Sequence, residues 1–261
     1  MTRRQKQRLS RGLLYLLAVA IVALAVVGGD WERIGRVFFN VGVMRDMLPD
    51  VLTVAARNTL VYSVLSFGFG LVIALALALM RLSSVGPYRA FAIGYIELFR
   101  GLPALVTLIL LAFGIPIAFD FRVPGGRVGA AVVGLSIVAG AYMAETIRGG
   151  IEAVPRGQRE AARSLGMSEN RTMFTIVLPQ AFRIMIPPLT NEMVLLIKDT
   201  SLFFVIGSTP MTRELVKFAR DFMQTRRNAT PLTVIAIVYL LITLPLTYLV
   251  RRMERRTGRG R

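Results

Sequence analysis

Residues 160–179 read EAARSLGMSENRTMFTIVLP, an Ala-rich, charge-studded stretch set between long apolar runs. Its local signals are helical. Pro155, just upstream, suits a first helical turn, where a missing N–H costs nothing. RGQREAARSL (156–165) then supplies helix formers, and Gly166 can close that helix in a left-handed cap. Ser168 can cap a second helix, which Pro179 is expected to interrupt. Ala161 and Ala162 leave a shallow surface, framed by Arg159, Glu160 and Arg163, that another protein can approach closely. An ordinary amphipathic linker helix would read the same way. The surroundings have to decide.

Outward from this insert the chain reads as membrane. Of its 261 residues 54% are hydrophobic and 18% charged, where a soluble domain carries about 25% charge; mean hydropathy is +0.60. Six apolar segments stand out: Leu13–Gly28, Thr59–Met80, Phe91–Ile117, Val128–Glu145, Ile184–Gly207 and Leu232–Val250. They lack strand-like alternation and are long enough to cross a bilayer core as helices. Internal Gly and Pro (Gly68, Gly70, Pro103, Gly114, Pro187, Pro188, Pro245) are tolerated where neighbouring helices cover the freed backbone groups. The fold class is all-α: a polytopic membrane protein with six transmembrane helices.

Basic residues set the orientation. With the N-terminus inside, segments 1–12, 81–90, 146–183 and 251–261 carry 19 Lys and Arg, against 11 in 29–58, 118–127 and 208–231. Both termini are therefore expected in the cytoplasm, although the loop TRELVKFARDFMQTRR (212–227) is basic for an outer one. The first segment has two readings. RRQKQRLSR, an apolar run and Ala23–Ala25 resemble a cleavable signal peptide; an uncleaved short helix with Arg11 snorkelling is the favoured alternative. Either delivers residue 29 to the outer face. Segment 29–58 alternates charged and apolar residues and is expected to lie along the membrane surface. No internal repeat stands out.

Composition excludes several chemistries. The net charge of +17 comes from 29 Arg and 3 Lys against 15 acids. The basic runs abut apolar segments at both ends and lack the aromatic platforms of single-strand binding, so no nucleic-acid partner is expected. With no Cys and no His, disulfides, thiolate chemistry, Cys/His metal sites and histidine switches drop out. No phosphate-binding G-x-x-x-x-G-K-[ST] loop occurs, so the chain is not expected to hydrolyse ATP.

The insert also carries a resemblance. Glu160, Ala161, Ala162, Gly166, Ile176, Leu178 and Pro179 meet the pattern E-A-A, three residues, G, nine residues, I-x-L-P without a gap. This resembles the cytoplasmic EAA loop of permease subunits in type I ABC importers. In that family the loop's short helix docks in a groove on the ATP-binding subunit and transmits its closure to the membrane helices. ELFRGLPALV (97–106), AYMAETIRGGIEAVPRGQREAARSLG (141–166) and NEMVLLIKDTSL (191–202) narrow the resemblance to polar amino acid permeases of the histidine/glutamine/glutamate type. It covers roughly residues 55–255. Those permeases commonly have a five-helix core with the N-terminus outside, and this chain departs by adding Leu13–Gly28. The resemblance divides it into residues 1–58, an N-terminal cytoplasmic tail, extra transmembrane helix and outer connection; 59–255, the permease domain with its coupling loop at 146–183; and 256–261, a basic tail.

The same resemblance implies partners: two ATP-binding subunits, a second permease subunit (identical or related), an extracytoplasmic solute-binding protein and membrane lipid. ATP and Mg would bind the ATPase subunit, with no cofactor on this chain. The substrate would be a polar amino acid or related small zwitterion, and the location the cell membrane of a prokaryote.

Charges within or beside the spans need an account. Glu97, Arg100, Glu145, Glu192, Lys198 and Asp199 must pair or line a wet cavity, because an unpaired charge at a helix centre costs about 2.5–3.5 kcal/mol on insertion scales. Glu192 and Asp199, seven apart, share a helix face; Lys198 and Asp199 diverge, so their partners are expected from other helices. They form either a structural ion-pair network or a substrate pathway of Glu192, Asp199, Lys198, Arg100 and Glu97, which offers an acceptor for an ammonium and a donor for a carboxylate. Gly101-Leu102-Pro103 is expected to kink its helix. A secondary transporter would use these charges for ion coupling but leaves the insert without a role. A membrane enzyme would lack metal ligands and a nucleophile–base pair.

Overall fold

The computed structural model describes residues 3–258, and no strand occurs among them. In chain order the helices are α1 (Arg3–Gly28), α2 (Trp31–Phe38), α3 (Val41–Asp50), α4 (Arg57–Leu82), α5 (Gly86–Gly101), α6 (Ala104–Ile109) and α7 (Ile115–Phe119). Then follow α8 (Gly126–Glu152), α9 (Arg156–Ser164), α10 (Glu169–Thr172), α11 (Leu178–Asp199), α12 (Leu215–Arg226) and α13 (Thr230–Gly258). Wide π turns over Val51–Ala56, Leu110–Gly114 and Met173–Val177 and a 3₁₀ turn over Thr200–Val205 join several of them. Of the tail expected at 256–261, residues 256–258 continue α13, and the last three lie outside the described residues. The basic run before Leu13 is helical from Arg3 onward.

Every expected apolar segment falls on helix, with one change of shape. Five helices among the described residues are long and apolar enough to span a membrane, and a sixth is reached when α5 and the α6–α7 unit count as one span. These two arms meet at 103°. Pro103 lacks an N–H and forces Leu102 into extended backbone, φ −88° and ψ 139°, so a break replaces the expected kink. Segment 29–58 folds into α2 and α3, capped by Asp30 and Asn40, whose side chains accept from Arg33 and Val43 N–H. Its second half runs through the Val51–Ala56 turn directly into α4.

The main core lies where α4, α5, α8 and α11 pack together. Apolar burial gives little drive in lipid, so close approach of small residues sets this packing. At Gly140 on α8 an added Cβ would sit 2.7 Å from Ile73 Cγ2 and 3.3 Å from the Gly70 carbonyl of α4. A second core joins α3, α12 and α13 around Met47, Leu215, Phe218 and Val234. The segment before α12 is tied to the start of α4. Asn58 Nδ2 donates to the Met211 and Arg213 carbonyls at 2.9 and 3.1 Å, and the Tyr62 hydroxyl to the Thr212 carbonyl at 2.9 Å.

Candidate functional site

Two regions hold the residues singled out in the sequence. The first is the insert between α8 and α11. α9 follows Pro155, which stands at the N-cap rather than inside the first turn. The helix ends in a double bond pattern: Gly166 N–H reaches the Arg163 carbonyl at 3.0 Å, and Met167 N–H the Ala162 carbonyl at 3.1 Å. Gly166 has φ +79°, the left-handed geometry that favours glycine in this cap. Arg163 Nη1 adds a bond to the Met167 carbonyl at 2.8 Å, and Ser168 Oγ caps α10 by accepting from Arg171 N–H. Pro179 does not interrupt the second helix. The Met173–Val177 turn widens just before it, which frees the carbonyl Pro179 would otherwise strike, and α11 continues through it.

The insert is one-sided. Ala162 is buried, while Glu160, Ala161 and Gly166 are exposed and Leu165 is 84% exposed. Arg159 ties the buried side back to α8 by donating to the Ile151 carbonyl at 3.1 Å. Ile176 and Leu178 are half-buried at the start of the following helix, and Pro179 is exposed. α9 thus presents a shallow Ala/Leu face outward from a rigid mount.

The second region is a cavity of about 270 Å³ at the break between α5 and α6. Leu102 and Ala104 line it from the break, Tyr142 from α8, and Glu192 and Asp199 from α11. The shared face expected for the two acids is therefore the cavity wall. Arg100 is not part of the lining, but its guanidinium lies 5.5 Å from the Tyr142 ring centre, where a cation–π contact is favourable. The partners expected from other helices are not found: none of Glu97, Arg100, Glu192, Lys198 and Asp199 forms an ion pair among the described residues. Lys198 and Glu97 are both exposed, and neither belongs to the lining set.

Glu145 is the exception among the intramembrane charges. Both its carboxylate oxygens accept from Arg148 Nε at 3.1 Å, Arg148 also pairs with Glu152, and Arg81 of α4 approaches Glu145 to 3.5 Å. Arg148 and Glu152 share α8 with Glu145, whereas Arg81 is reached only through the fold. Tyr142 also escaped the sequence reading, because nothing local marks a tyrosine as cavity wall.

The family model described as "Binding-protein-dependent transport system inner membrane component" matches residues 43–259. The chain belongs to that family. It is thus the membrane-spanning permease component of an ABC importer, without an ATPase of its own. The glutamine transport system permease protein GlnP of Escherichia coli K12 is 38% identical over 208 residues, covering 79% of this chain and 92% of the relative. The L-cystine transport system permease protein TcyB of Bacillus subtilis is 38% identical over 213 residues, covering 80% and 87%. A solved structure described as an amino acid ABC transporter with histidines superposes with a TM-score of 0.74 at 36% identity, covering 82% of this chain and 96% of the other. α1 and α2 precede the matched residues. None of these relatives supports the ion-coupled alternative.

Proposed function

We propose that the permease serves an ATP-driven importer for a polar amino acid or related small zwitterion, and that α9 transmits the motor's stroke. The observation that carries the coupling role is the rigid, one-sided insert: an exposed Ala161/Leu165 face, closed by Gly166, mounted between α8 and α11. Both of those helices line the cavity at the α5–α6 break, so a push on α9 reaches the cavity walls through continuous backbone. In this reading Glu160, Ala161, Ala162, Gly166, Ile176, Leu178 and Pro179 form the coupling loop within 146–183. The amino acid assignment draws on relatives whose names specify glutamine and L-cystine.

The working assembly is two ATP-binding subunits, this chain with a second copy or a related permease, and an extracytoplasmic solute-binding protein, in the cell membrane of a prokaryote. ATP and Mg belong to the ATPase subunits, and this chain contributes no cofactor site. Residues 59–255 act as the transport domain, with 1–58 and 256–261 as flanks. The test is uncoupling. Gly166→Trp and Glu160→Lys should leave the protein in the membrane while ATP hydrolysis no longer drives uptake. At Gly166 the space is open, so the damage comes from the left-handed backbone and from bulk at the docking face. Normal uptake by Gly166→Trp would refute the coupling role.

A further inference from the structure

The lining of the cavity at the helix break differs from what a neutral zwitterion needs. Its only charged members among the described residues are Glu192 and Asp199, seven residues apart on the same wall of α11. Arg100 and Lys198 lie outside the lining, Arg100 with its guanidinium against the Tyr142 ring. Neither cation presents a donor to the cavity, and neither reaches ion-pair distance. The cavity therefore offers two carboxylate acceptors and the Tyr142 side chain, with one guanidinium beside Tyr142.

A ligand that satisfies this arrangement has two cationic groups and one carboxylate. Glutamine would answer one acid with its α-ammonium and leave the other facing an amide; glutamate would add a third carboxylate. We infer that the cavity at the α5–α6 break receives a basic amino acid. Its α-ammonium and side-chain cation meet Glu192 and Asp199, and its carboxylate turns toward Arg100. This rests on the importer reading above and specifies its substrate.

The test uses the permease purified with its ATPase subunits in detergent, without the solute-binding protein, so that selectivity belongs to the membrane site alone. Binding of L-arginine, L-lysine, L-glutamine and L-glutamate is measured by calorimetry. L-arginine and L-lysine should bind at least about tenfold more tightly than L-glutamine, the worth of one charge-assisted hydrogen bond, and L-glutamate should bind least. Glu192→Gln and Asp199→Asn should each weaken L-arginine by about tenfold or more, whereas L-glutamine, which answers only one acid, should be weakened by one of the two and nearly unchanged by the other. Arg100→Gln should weaken L-arginine and L-glutamine alike. L-glutamine or L-glutamate binding as tightly as L-arginine, or no binding of the basic pair by the wild-type complex, overturns the inference even if a variant misfolds. Failure of the ATPase to co-purify would instead count against the importer reading.

Discussion

Glu214 sits just before α12, 1% exposed, with its carboxylate accepting the N–H groups of Val216 and Lys217. Burial pushes its carboxyl from 4.5 up to about 7, and the two backbone donors hold it back only in part. Because the folded-state value is raised, the folded protein binds the extra proton. The resulting stabilisation is complete below about 4.5 and is lost as pH rises through about 7. The melting temperature of the wild-type protein in detergent should therefore fall from pH 5 to pH 8 relative to Glu214→Gln, which cannot titrate; parallel profiles would contradict this. Gly140 gives a steric prediction. With Ile73 Cγ2 2.7 Å from any added Cβ, Gly140→Val should cost about 1–3 kcal/mol. Gly149→Ala, with nothing within 4 Å, should be neutral or slightly stabilising; thermal denaturation of the two variants checks both signs. Neither residue was legible in advance. Glu214 looks like one more loop acid until α4, α12 and α13 close around it, and Gly140 is one of many glycines until α4 crosses α8.

At the scale of elements, the caps were legible because they are local. Gly166 and Ser168 announce the end of one helix and the start of the next by backbone chemistry that needs no partner. Pro103 likewise announced a fault in its helix, but its size, a break of 103°, depends on what packs around Leu102. Pro179 misled for the complementary reason. A proline inside a helical pattern reads as a stop, yet the wide turn at Met173–Val177 absorbs it and lets α11 run on. The cavity was half legible: a seven-residue spacing put Glu192 and Asp199 on one face, but only the fold brings Tyr142 and the break opposite them. If that face lines the route, Glu192→Gln and Asp199→Asn should lower uptake per assembled complex while ATPase association stays intact. If the acids serve architecture alone, the same changes should reduce the yield of assembled complex and leave uptake per complex unchanged.

For the whole molecule, the charge distribution and the helix count make a joint topological prediction. A reporter fused to the C-terminus should be cytoplasmic, and one inserted near Phe222 should be extracytoplasmic. Both on one side would remove a crossing between α11 and α13. The basic residues at 212–227, expected outside, are partly spent within the protein: Arg213 lies 4.4 Å from the Phe218 ring centre, Lys217 pairs with Asp221, and Arg226 reaches Asp46 at 2.7 Å. Such partners would let an outer segment carry this much positive charge; the Arg226–Asp46 pair, 180 residues apart, is visible only in the folded chain. The central claim is that this chain moves substrate when a separate ATPase drives it through α9. Uptake into proteoliposomes tests it most directly, with the complete assembly and the permease alone compared under an imposed ion gradient. Uptake should occur only with the ATPase, solute-binding protein and ATP present, and Gly166→Trp should abolish it. Gradient-driven uptake by the permease alone would contradict it.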